Sequence, residues 1–128
     1  MHSIPALAIA ALLLLCSALP TARAQSSQFD AWFDRDDFAA IEREIERRLQ
    51  ADVDDRAGLI ARARLGVVWR DASRLDTSIE AMERCLARHE ADARCHWWLG
   101  RAYGRKALEA DTLGGLRYAG RIREHFER

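Results

Sequence analysis

Lysine is all but missing from this 128-residue chain: of its twenty basic residues only Lys106 is Lys, and the rest are Arg. Twenty acidic residues cancel that charge, so no bulk electrostatic field points to nucleic acid or to an anionic membrane. The bias towards Arg reads as the mark of a GC-rich genome rather than as a use for guanidinium. There is no Gly-rich phosphate loop, no G-x-S-x-G nucleophile turn and no H-E-x-x-H zinc motif, and the three cysteines include no C-x-x-C pair. Catalysis is therefore left without a positive feature, and no cofactor is implied. The acid pairs Asp36-Asp37 and Asp54-Asp55 stand at expected helix starts, where the helix dipole favours negative charge over a general acid/base role.

An apolar run of bilayer length is lacking as well. Ile4 to Leu19 is almost wholly apolar but falls short of the roughly twenty residues a spanning helix needs. Pro20-Thr21 ends it, and Ala22-Arg23-Ala24 follows with a small-x-small pattern. The expectation is a cleavable signal peptide over residues 1–24, cut before Gln25, and export to the periplasm with no membrane attachment afterwards. Cys16 follows Leu15 where a lipoprotein signal wants a small residue, so lipidation is discounted. Cys85 and Cys95 then remain in a compartment where disulfides persist.

What is present is a repeat. Leu65-Gly66-x-x-Trp69 returns thirty-four residues later as Leu99-Gly100-x-x-Tyr103, with Ala61 matching Cys95 and Val68 matching Ala102. These positions share one helical face, and the paired glycines let a neighbouring helix come close. Trp69 and Tyr103 are expected as core residues of equivalent helices. Between the copies Leu75, Ile79, Met82 and Leu86 mark a second helix, with a turn near Ala72-Ser73-Arg74 and Thr77-x-x-Glu80 as a capping box. The pattern resembles the tetratricopeptide repeat family, whose first helix carries W-x-x-L-G-x-x-Y. The match takes in Leu99, Gly100 and Tyr103, and departs at the family Trp position, held here by Arg62 and His96.

That resemblance implies an all-α fold of antiparallel helix-turn-helix repeats stacked as a short solenoid. Residues 59–92 form the first repeat and 93–128 the second, with an N-terminal helical segment over 25–58 packed on the array. In the segment, Phe38, Ile41, Ile45 and Leu49 place an amphipathic helix over Asp36 to Ala51. Phe29, Trp32 and Phe33 form a short helix against it, and Asp52-Val53-Asp54-Asp55 makes a break in which Asp54 or Asp55 caps the next helix. The second repeat is expected to have a lengthened turn, its excess falling around Ala107 to Gly120: a first helix extended to about Asp111, a loop broken at Gly114-Gly115, and a final helix carrying Leu116, Ala119, Ile122 and Phe126. That helix reaches Glu127-Arg128 without a polar cap. The array reads as incomplete there, with self-association through the uncovered helix expected.

In the family, first helices line a concave groove that holds extended peptides. Carried over, the resemblance implies a non-catalytic scaffold or adaptor binding a protein or peptide through Val67, Arg70, Arg94, Trp97, Arg101 and Arg105. Arginines around an aromatic suit a carboxylate or acidic peptide. The other reading is a small metal- or redox-handling helical protein using Cys85, His89, Cys95 and His96. A disulfide between Cys85 and Cys95, or two reduced core cysteines, accounts for the pair more simply than a metal, because Cys95 and His96 point about a hundred degrees apart on a helix.

Overall fold

A computed structural model describes residues 22–69, 72–110 and 112–128, the side chains of 22–27, 72, 112 and 113 excepted. Residues 1–21, which hold most of the expected signal peptide, lie outside the described residues, and so does Arg70. The structure is all-helical: α1 (Ala22–Asp34), α2 (Phe38–Ala51), α3 (Arg56–Val68), α4 (Ala72–Arg88), α5 (Ala93–Glu109) and α6 (Thr112–Phe126), with no strand among the described residues. None of these helices is long and apolar enough to cross a membrane.

Aspartates start three of the helices, because a carboxylate before the first turn accepts from amides that have no partner inside the helix. Asp37 takes the amide of Ala40 at 3.2 Å and Asp55 that of Gly58 at 2.8 Å. Asp92 takes the amides of Arg94 and Cys95 at 3.1 and 3.2 Å. Each helix then pairs with its successor across a short connection, giving three hairpins. The odd-numbered helices also touch one another in order, α1 on α3 and α3 on α5. α2 packs between α1 and α3, and α4 between α3 and α5.

α3 therefore has neighbours on four sides, and it is buried nearly all round through Leu59, Ile60, Ala63, Leu65 and Val67. α2 and α4 bury one stripe each, Ile41, Ile45 and Leu49 on the first and Leu75, Ser78, Met82 and Cys85 on the second. Glycine at position 66 lets α3 and α4 meet: a Cβ there would lie 1.9 Å from Ser78 Oγ and 2.5 Å from the carbonyl oxygen of Arg74. At Gly100 the neighbour is a side chain, the Phe126 ring, 3.0–3.2 Å from where a Cβ would stand.

The thirty-four-residue period reaches further back than the text match. α3 begins and ends thirty-four residues after α1, and α4 begins thirty-four residues after α2. The segment 25–58 thus contains a helical hairpin laid out like the next one. The third hairpin departs from this spacing, since α5 begins thirty-seven and ends forty-one residues after α3.

Four local expectations need correction. Ala72-Ser73-Arg74 is the first turn of α4 and not the connection, so Thr77 lies inside the helix, its hydroxyl 3.5 Å from the Ser73 carbonyl oxygen, and caps nothing. The first helix of the second repeat is lengthened as expected, α5 running to Glu109, but no long loop follows it, and Gly114-Gly115 sits within α6. Trp69 is no core residue. It caps the C-terminus of α3 at 38% exposure, its ring tilted against Phe38 and covered by Arg74, whereas Tyr103 is 3% exposed. Val67 is 5% exposed, because its face of α3 is covered by the neighbouring helices, and so it offers no surface to a ligand.

Candidate binding groove

α1, α3 and α5 together line a cleft of about 100 Å³. Phe29, Asp30 and Phe33 come from α1, Ala57, Ile60, Ala61 and Arg64 from α3, and Arg94 from α5. The aromatic rings are buried by their own helix packing, so the floor is rigid and apolar while the rim is charged.

At one end Arg56 grips both oxygens of Asp92, tying the start of α3 to the start of α5. The Arg56 hydrogen bond, aided by the amides of Cys95 and Arg94, holds the Asp92 carboxyl below its ordinary range against the cost of burial. Across the middle, Arg64 lies 4.0 Å over the Phe33 ring and donates to Asp30 at 2.6 Å. Arg94 comes within 3.7 Å of the same Asp30 oxygen, close enough for attraction and too far for a hydrogen bond.

Beyond Arg94 the open face of α5 continues with Trp97, Arg101 and Arg105, at steps of three, four and four residues. Trp97 is 43% exposed, stands edge-on to Trp98 at 4.6 Å and lies under the Arg101 guanidinium at 4.7 Å. Arg105 comes no nearer than 3.7 Å to Glu109, and its Nε is buried without a hydrogen-bond partner. Arg94 and Arg101 likewise make no side-chain hydrogen bond among the described residues. Arg47, Arg64, Arg74 and Arg88, by contrast, each have a carboxylate oxygen at 2.6–2.7 Å.

Of the expected site residues, the structure gathers Arg94, Trp97, Arg101 and Arg105 on one face of α5, buries Val67 and does not describe Arg70. Sequence reasoning missed Asp30, Phe33, Arg56 and Arg64. A signal for two of them was present: Asp30 and Arg64 are one period apart and occupy the same place on successive odd helices.

The sulfur pair is also resolved. Cys85 and Cys95 are bonded at an S–S distance of 2.12 Å. Among the described residues, the group of potential ligand atoms lying within 4.8 Å of one another is Cys85, Asp92 and Cys95, and neither His89 nor His96 joins it. His89 is exposed, and His96 turns away to other partners: its Nε2 meets the Glu90 carbonyl oxygen at 2.6 Å and its Nδ1 meets His125 Nδ1 at 2.9 Å. The two rings stand head to head, an arrangement for one shared proton rather than for lone pairs converging on an ion.

Searches with family models, against curated proteins and against solved structures return no match to this chain.

Proposed function

We propose that the protein is a non-catalytic interaction module, exported to the periplasm, that takes an extended acidic segment of a partner protein along the face of α1, α3 and α5. The observation that carries this reading is the row of unspent guanidinium donors on α5. Arg94, Arg101 and Arg105 hold five N–H donors each, and around the exposed ring of Trp97 they leave most of them without a protein acceptor. A carboxylate meeting such donors forms charge-assisted hydrogen bonds, about twice as strong as neutral ones, and an apolar side chain beside it covers Trp97. The spacing of the helices and the tetratricopeptide-like text support the same reading, and the signal-like residues 1–24 support export.

The test is fluorescence polarisation with labelled hexapeptides in which Asp or Glu alternates with Leu or Phe, against the same peptides carrying Asn and Gln. Binding of the acidic set is expected, weakened about tenfold or more by the double change Arg94→Gln, Arg101→Gln and to a similar degree by Trp97→Ala. Equal affinity of wild type and both variants for every peptide rejects the groove.

A further inference from the structure

Asp30 already sits where a ligand carboxylate belongs. Its Oδ1 receives a hydrogen bond from Arg64 at 2.6 Å and lies 3.7 Å from Arg94. The side chain is nonetheless 47% exposed, while Phe29 and Phe33 on the same helix are 4% and 8% exposed. The rings therefore anchor α1, and the carboxylate can leave by rotation of its own two side-chain torsions without moving the helix. Once turned out it enters water, so no buried charge is created by its departure.

Arg64 behaves differently. Its guanidinium is stacked 4.0 Å above Phe33, so its position does not depend on Asp30 alone. A carboxylate arriving from outside has a reach that Asp30, fixed to α1, lacks. It can settle between Arg64 and Arg94 and use donors on both, where Asp30 makes a hydrogen bond to only one. The exchange substitutes one anion for another at the same cations and keeps the charge balance of the cleft.

We infer that Asp30 is a built-in competitor for the groove: ligand binding at the Arg64–Arg94 pair proceeds by exchange of a partner carboxylate for the Asp30 carboxylate. The inference rests on the acidic-segment reading above, and it assigns that site a filter. Neutral segments cannot displace Asp30, and weakly acidic ones do so poorly, so the internal ion pair raises the threshold for binding and sharpens selectivity for a well-placed negative charge.

The experiment compares wild type, Asp30→Asn and Asp30→Glu with the acidic and the amide hexapeptides. Asp30→Asn removes the competitor and is expected to bind the acidic set about three- to fivefold more tightly, the range an exposed ion pair commands, with the amide set unchanged. Asp30→Glu carries a longer internal carboxylate that reaches Arg94 and is expected to weaken acidic binding, which separates competition from any general loosening of α1. Thermal unfolding confirms that each variant is folded. An acidic-set affinity indifferent to Asp30→Asn, or one that rises equally for both peptide sets, overturns the exchange. In that case sensitivity to Arg94 and Trp97 substitutions keeps the groove itself standing. If neither peptide set binds wild type or Asp30→Asn at millimolar concentration, the groove and the exchange fall together.

Discussion

α3 and α5 carry the same Leu-Gly-x-x-aromatic text, yet only half of their matched positions share an environment. Ala61 and Cys95 are both buried, as are Leu65 and Leu99. Ala63 is fully buried where Trp97 is exposed, and Trp69 is half exposed where Tyr103 is buried. The first contrast follows from neighbours: α3 is flanked by α1 and α5, while α5 has an odd-numbered neighbour on one side only. The second follows from length. α3 stops at Val68, so Trp69 is already its cap, whereas α5 runs on to Glu109 and keeps Tyr103 inside the helix and under α6. Repeated text fixes the side of a helix that faces its own hairpin partner, and the rest of the array decides what happens on the other sides.

The strongest way to break this comparison is to truncate the matched aromatics. Tyr103 is stacked on Tyr118 and His125, and its hydroxyl donates to Glu83 and accepts from Arg121, both at 3.2 Å. Tyr103→Ala is expected to cost about 3–4 kcal/mol in urea unfolding, as for other buried aromatics. Trp69→Ala loses only the Phe38 and Arg74 contacts and is expected to cost about 1–2 kcal/mol, in proportion to its smaller burial. Equal costs for the two would mean that Trp69 is as deep as Tyr103 and that α3 continues past Val68.

A finer test uses the paired glycines. The Cβ of Gly66→Ala would collide with a hydroxyl and with backbone; Ser78 Oγ is itself held 3.0 Å from the Ala63 and 2.9 Å from the Arg74 carbonyl oxygens. Neither neighbour can give way, so a loss of about 2–3 kcal/mol is expected despite the better helix propensity of Ala. At Gly100→Ala the obstacle is the Phe126 ring, 49% exposed near the end of α6 and able to shift. There the propensity gain offsets the crowding, and a change within about 1 kcal/mol is expected. Chemical denaturation of both variants ranks them, and a larger loss at Gly100 would refute the assignment of backbone contact to the α3–α4 hairpin alone.

The sequence made the helical class, the thirty-four-residue period, a cap at Asp54 or Asp55 and the closeness of Cys85 to Cys95 legible, because each depends on spacing along one or two adjacent helices; the structure selects Asp55 and bonds the two sulfurs. α2 was legible for the same reason, its Ile41, Ile45 and Leu49 falling on one stripe. The third hairpin misled because Gly114-Gly115 favours a break locally while α6, packed along α5, carries both residues within a helix. Half of the groove was legible, namely the α5 side, since Arg94, Trp97, Arg101 and Arg105 share a helical face. The α1 side was not, because Asp30 and Arg64 are brought together only when hairpins stack, and the period that relates them carries no matching text at α1. Burial of Val67 was missed for the same reason: it depends on helices on both sides, which a two-repeat reading does not supply.

The smallest expected effect separates the last hairpin from the rest by pH. His96 is 5% exposed and gives its Nε2 proton to the Glu90 carbonyl, which can only accept, so neutral His96 presents an Nδ1 lone pair to the Nδ1–H of His125. The groups around His125 are the stacked Tyr103 ring, Glu124, Arg121 and Arg128, and its titration is pushed below the ordinary histidine value by burial first and by His96 next. The folded state thus resists protons that the unfolded chain takes up near pH 6.5, so stability is full above that value and declines as pH falls through it. Glu44 on α2 and Asp92 at the α4–α5 turn are held below their ordinary values chiefly by Arg47 and Arg56, and their contribution is lost only in more acid solution. Urea midpoints between pH 7.5 and 5.0 are therefore expected to fall gently in wild type and to stay flat in His125→Gln, whose amide still donates to His96 without titrating. A parallel decline in that variant would move the pH sensitivity away from the His96–His125 pair and erase this distinction between the third hairpin and the other two.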